Sequence, residues 1–113
     1  MHSWVFEFRP VAHLLLHVAV PGLVAVFAYR QRWLRAWTVM VATMLVDFDH
    51  LFADPIYDPG RCGIGFHPLH SYPAIAGYAA LMLVPKARLV AVGLLLHMAL
   101  DALDCAWLRL EGD

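Results

Sequence analysis

Imidazoles and carboxylates are the groups in this 113-residue chain whose type and spacing suit chemistry. Six of the seven histidines lie inside or beside apolar stretches: His13, His17, His50, His67, His70 and His97. Asp47, Asp49, Asp101 and Asp104 share those stretches. His13 and His17 stand four apart, hence on one face of a helix. His97, Asp101 and Asp104 follow at steps of four and three and form a second stripe. Asp47 and His50 are three apart, whereas Asp49 points about 100° away from His50 on an ideal α-helix. An i, i+4 pair puts two ligands on one metal ion from one helix face. Imidazole with carboxylate suits Zn²⁺, and also Mn²⁺ or Fe²⁺. The inventory can fill one or two such sites.

These groups are placed by a chain that is 62% apolar and 15% charged. An ordinary soluble domain is about 45–50% apolar and about 25% charged. So small a chain cannot hide that much apolar surface in a core of its own. The composition excludes disorder, a coiled coil and a disulfide-dense scaffold, and a net charge of -1 offers no basic footprint for nucleic acid. A single domain over residues 1–113 is expected: an all-α, integral membrane bundle of four transmembrane helices. The apolar segments run roughly over 10–29, 33–52, 71–84 and 89–108. Most are about 20 residues long, the length of a bilayer crossing. Pro10 and Pro73 suit the first turns of helices one and three, with Ser71 as cap. Pro21 cannot donate to the carbonyl of His17 and is expected to kink the first helix. The rival for helix one, a cleaved signal peptide, lacks both a basic start and a cleavage site.

Arg30, Arg32, Arg35, Lys86 and Arg88 all fall in or beside the first and third connections, with no acidic neighbour. By the positive-inside rule those connections are cytoplasmic. Both termini, the stretch from Ala53 to His70 and every acidic residue then lie outside. All four helices deliver their polar groups to this outer leaflet. Ionisable groups cost about 2.5–3.5 kcal/mol each at the bilayer centre by insertion scales, and persist when paired, hydrated or bound to an ion. One histidine, or Asp101 or Asp104 alone, is adequately explained as a helix-packing hydrogen bond; ten such groups at one depth are not. The cytoplasmic halves, such as Val24 to Ala28 and Val39 to Met44, are apolar, which argues against a transport path.

Other features receive simpler readings. Asp54 and Asp58 are turn residues, and His2 carries no role. Trp4, Trp33, Trp37, Tyr57, Tyr72 and Trp107 suit interface anchors. Ala76, Gly77, Ala79 and Ala80 suit helix packing. Cys62 and Cys105 fall on the outer side, where an oxidising compartment permits a disulfide; two free thiols are the equal alternative. Helices one and three begin outside, so their positive ends face the polar cluster. Arg61 would add a mobile charge for an anionic substrate.

In order along the chain, His13-x-x-x-His17, Asp47-Phe48-Asp49-His50, His67-Pro68-Leu69-His70-Ser71 and His97-x-x-x-Asp101 form a combination. It resembles the bacterial inner-membrane metal-dependent hydrolases, the family that includes a LexA-regulated member. That family is distantly related to zinc-dependent phospholipases C and single-strand zinc nucleases, helical proteins that hydrolyse phosphoesters with clustered zinc ions. The resemblance covers His13 to Asp104. It implies metal contact for His13, Asp49, His50, His70, His97 and Asp101. The His67–His70 spacing and the whole chain are shorter than the family pattern, which leaves little room for a substrate domain.

Together these readings lead to a multi-pass protein of the bacterial inner membrane with its site on the extracytoplasmic side. The expected ligands are His13, His17, Asp49, His50, His67, His70, His97 and Asp101. Asp47 and Asp104 are expected to hold ligand imidazoles or to take a proton from water. The expected function is metal-dependent hydrolysis of a phosphoester in a lipid or membrane-proximal substrate, in contact with the lipid bilayer and as a candidate homodimer. The alternatives are a protein that binds or handles a metal without hydrolysis, and a structural bundle.

Overall fold

The computed structural model describes residues 3–53 and 62–112. Four α-helices, joined and extended by 3₁₀ segments, make up its regular structure, with no strand among the described residues. They are α1 (Ser3–Ala28), α2 (Trp33–Ala42), α3 (Tyr72–Leu81) and α4 (Arg88–Gly112). Short 3₁₀ turns at Arg30–Arg32, Pro68–His70 and Pro85–Ala87 join them, and a longer 3₁₀ run, Thr43–Phe52, prolongs α2. α1, α2 and α4 pack on one another, and α3 rests on α4. His2, Asp54, Tyr57, Asp58 and Arg61 fall outside the described residues.

α1 starts before the expected Pro10, so that proline lies inside the helix rather than in its first turn. Pro21 is also interior. A proline withholds the donor that its i−4 carbonyl would use, and neighbouring side chains often satisfy backbone groups around such a break. Here the Trp37 indole donates to the Val18 carbonyl at 2.8 Å. Gly22 makes room for it: a Cβ there would lie 3.3 Å from the indole nitrogen. The expectation of Trp37 as an interface anchor is therefore corrected. Its ring is half-buried between α1 and α2 because it carries a hydrogen bond.

The 3₁₀ run positions half of the site. Residues i and i+3 eclipse in this winding, so Thr43, Val46 and Asp49 form one buried row. Met44, Asp47 and His50 form a half-buried row beside it. Leu45, Phe48 and Leu51 form the third row, each over 60% exposed. The Thr43 hydroxyl donates to the Met40 carbonyl where the winding tightens. Gly93 of α4 admits this backbone: a Cβ there would stand 3.0 Å from Met40 Cα and from the Thr43 side chain.

α3 begins as expected, with Ser71 accepting from the Ala74 amide at 3.4 Å and proline in the first turn. The expectation that Ala76, Gly77, Ala79 and Ala80 are packing contacts is overturned. Ala76, Gly77, Ala79 and Ala80 are exposed, and a Cβ on Gly77 would meet nothing within 4 Å. The reason is that α3 packs along α4 through other positions.

Cys62 and Cys105 form a disulfide with Cα atoms 5.0 Å apart, 43 residues distant in sequence. This decides between the two sequence-level alternatives. By the chain-entropy relation, closing a loop of that size lowers the unfolded state's freedom by about 4 kcal/mol.

The apolar core is small. Ala25, Ala36 and Met40 are buried, with Val24, Tyr29, Trp37, Leu89, Val92 and Leu96 around them. It lies near the end that carries the exposed Arg30, Arg32, Arg35, Lys86 and Arg88. Two helices, Pro10–Ala28 and Pro85–Leu110, are long and apolar enough to cross a membrane, with mean hydropathies of 2.1 and 1.8. Within the chain, only 17% and 28% of their apolar windows are buried. A core helix of a soluble domain would be mostly covered. α2 and its 3₁₀ continuation together rise about 35 Å, against a hydrocarbon core of about 30 Å. α3 rises only about 15 Å.

Candidate metal centre

The site lies at the end of the bundle away from Arg30, Arg32, Arg35, Lys86 and Arg88. α1 contributes His13 and His17, the 3₁₀ run contributes Asp47, Asp49 and His50, and α4 contributes His97, Asp101 and Asp104. His67 and His70 arrive on a turn stitched by its own backbone: the Gly65 amide donates to the His70 carbonyl, and the Phe66 and His67 amides to the Gly63 carbonyl. Gly65 holds φ +81°, a left-handed conformation that favours glycine. All ten candidate residues of the sequence reading stand in this region.

Four atoms from three elements converge at its centre. His70 Nε2 lies 3.3 Å from His97 Nε2, 3.2 Å from Asp47 Oδ1 and 2.9 Å from Asp101 Oδ2. His97 Nε2 lies 3.0 Å from Asp47 Oδ1 and 3.4 Å from Asp101 Oδ2. Ligand atoms about 2.0–2.1 Å from a tetrahedral ion are about 3.3–3.4 Å from one another. The spacings here approach that figure, so these donors could hold a metal ion. Two facing imidazole nitrogens share room for one proton, whereas a cation takes both lone pairs.

Asp101 turns its other oxygen to α1. Oδ1 is 2.9 Å from His17 Nε2 and 3.2 Å from His13 Nε2. His13, His17 and Asp101 thus make a second candidate triad, and Asp49, His50 and His67 a third. In the third, His50 and His67 stack with centroids 3.8 Å apart.

Most of the rings are aimed by a contact on Nδ1. His17 Nδ1 donates to the His13 carbonyl at 2.7 Å, and His50 Nδ1 to the Asp47 carbonyl at 2.9 Å. His70 Nδ1 donates to Asp49 Oδ2 at 2.8 Å. His13 Nδ1 faces Asp104 Oδ1 at 3.7 Å. For His13, His17 and His70 the contact leaves Nε2 to face the cluster, as supporting groups do for ligand histidines. His97 departs from the pattern: its Nδ1 is buried without a hydrogen-bond partner.

The two carboxylates of Asp47-Phe48-Asp49 therefore occupy different places. Asp47 stands among the central donors, and 34% of its side chain is exposed. Asp49, at 1%, accepts from His70 Nδ1, the Leu69 amide at 2.8 Å and His50 Nδ1 at 3.1 Å. As the angle between them led one to expect, Asp47, Asp49 and His50 do not meet at one point: Asp47 stands among the central donors, and Asp49 and His50 stand with His67. The 3₁₀ winding opens the angle between successive residues to about 120°, and the partners of Asp49 come from another segment.

Sequence reasoning missed Tyr78. Its hydroxyl donates to the Leu69 carbonyl at 2.7 Å, so the Leu69 peptide is held at both ends. The signal was faint, a polar tip two turns into a small-residue helix. Gly93 was missed as well, although a glycine within an apolar helix is a known sign of close approach.

Fold and site together define a class: an all-helical protein with membrane-length apolar helices and a buried His/Asp cluster suited to a cation. A family model matches residues 7–108, and the chain belongs to that family, DUF6122, a family of unknown function. Neither a curated protein nor a solved structure shows significant similarity to it.

Proposed function

We infer that the chain is a membrane-embedded, metal-dependent hydrolase that acts on a phosphoester of a lipid or of another substrate at the membrane surface. The observation that carries this reading is the convergence of His70 Nε2 and His97 Nε2, 3.3 Å apart, with Asp47 Oδ1 and Asp101 Oδ2, each 2.9–3.4 Å from both nitrogens. Those four residues would hold one ion, Zn²⁺ by donor chemistry, and His13, His17 and Asp101 a second. A cation bound there polarises a phosphoryl oxygen and makes water acidic enough to attack near neutral pH.

The chain's own groups do the rest. Asp101 shares its two oxygens between the sets and fixes their spacing. Asp49 holds the His70 ring, and the Asp104 carboxylate faces His13. Asp47, the open carboxylate, would offer the oxygen not turned to the ion as the proton acceptor that an arriving water meets first. Four crossings are proposed, with the arginine-rich end cytoplasmic by the positive-inside rule. The disulfide at the site end agrees with an oxidising exterior, and the inner membrane of a bacterium is the expected location.

The test is elemental analysis of the purified protein, followed by assay on phospholipid vesicles and a chromogenic phosphodiester. Stoichiometric zinc and hydrolysis that His97→Ala abolishes are expected. Metal without hydrolysis leaves a metal-handling protein. A metal-free protein whose stability is unchanged by Asp101→Ala overturns both and leaves a structural bundle.

A further inference from the structure

The disulfide stands in a particular relation to the cluster. Cys105 follows Asp101 by four residues and His97 by eight, on the α4 stripe that faces the site. Cys105 is itself buried. Cys62 starts the stitched turn that brings His67 and His70. That turn is clasped to the 3₁₀ run by Asp49, through the Leu69 amide and His70 Nδ1. The Cys62–Cys105 bond fastens its other end to α4. His70 must meet Asp47 on one side and His97 and Asp101 on the other, so both clasps bear on its position. α1 needs neither: His13 and His17 reach Asp101 from a continuous helix.

We propose that the Cys62–Cys105 disulfide is a positioning device for metal capture, so that the central set assembles only in the oxidised chain. This rests on the metal reading above and adds an order of events to it. Two thiols first exchange with a disulfide-bearing oxidant. The oxidant's S–S bond breaks, the Cys62–Cys105 bond forms, and two electrons and two protons pass to the oxidant. The turn is then docked, and His70 completes the central donors. In the reduced chain the turn keeps its contacts with Asp49 and Tyr78 but loses its tie to α4, and the cation competes with the freedom so gained. The α1/α4 set, His13, His17 and Asp101, persists in both states. An exported chain would therefore remain without its central ion until oxidised.

The experiment is Zn²⁺ titration of metal-stripped, detergent-solubilised full chain, oxidised or reduced by a trialkylphosphine. The phosphine takes up oxygen from water as the S–S bond yields two thiols. Helicity is followed by circular dichroism in parallel. Reduction is expected to weaken the tightest Zn²⁺ site at least tenfold with helicity retained, and reoxidation to restore it. His67→Ala/His70→Ala in the oxidised chain should reproduce the weakened isotherm, and reduction should weaken that variant no further. Cys62→Ser/Cys105→Ser should match the reduced wild type. If that variant does not fold, the reversible reduction of folded wild type decides. Equal affinity in the two redox states overturns the proposal while leaving the metal centre intact. Failure of the oxidised chain to bind Zn²⁺ at all overturns the metal reading itself.

Discussion

Asp49 Oδ2 lies 2.8 Å from His70 Nδ1 across 21 residues of sequence, and both side chains are almost wholly buried. A buried carboxylate needs partners to offset its lost hydration. Asp49 finds them in His70, His50 and the Leu69 amide. The same contact selects the tautomer that turns His70 Nε2 toward the central donors.

Replacing Asp49 by Asn keeps the shape and removes the charge. The His70 ring then faces at best a neutral amide oxygen in place of a charged acceptor, and Zn²⁺ affinity should fall about 10–100-fold, the range for losing a supporting partner of a ligand histidine. Isothermal titration of metal-stripped protein checks this. An affinity equal to wild type would show that His70 is not held through Asp49.

Metal loading should depend on pH with a definite sign. An imidazole offers its lone pair only when neutral, so protons compete with the cation. Free imidazole titrates near about 6.5. Acidification from pH 7.5 to 5.5 should therefore raise the apparent Zn²⁺ dissociation constant more than tenfold. The rise in thermal stability that Zn²⁺ confers should shrink in step, since ligand stabilisation follows concentration over dissociation constant. A flat profile across that range would exclude imidazole ligands.

Gly93 should tolerate no side chain. A Cβ there would lie 3.0 Å from the backbone of Met40 and from the Thr43 side chain, and backbone cannot swing aside. Gly93→Val should cost about 1–3 kcal/mol through overpacking and shift the 3₁₀ run that carries Asp47, Asp49 and His50. Both thermal unfolding and Zn²⁺ binding should suffer. A fully stable variant that has lost its metal would instead point to a local effect on the run.

The residue types settled the all-helical character and the candidate donors before any coordinates. Helical periodicity is local, so His13 with His17, and His97 with Asp101, could be assigned to shared faces from spacing alone. Ser71 and Pro73 announced the start of α3 because capping chemistry acts within one turn. The ten polar groups could likewise be placed at one end, since depth follows from position along an apolar segment.

What spacing could not decide was anything that depends on contact between distant segments. The division of labour between Asp47 and Asp49 rests on a 3₁₀ winding, which no α-periodicity reveals, and on where the turn bearing His70 docks. The pairing of Cys62 with Cys105 needed Cα atoms within bridging distance. Trp37 changed from anchor to hydrogen-bond donor because Gly22 leaves room for its ring beside the Val18 carbonyl. The small residues of α3 turned out exposed, because a face is defined by the neighbour it meets. Local propensity is written residue by residue, whereas Asp101 could serve both His17 and His70 only after three helices and a turn had closed around it.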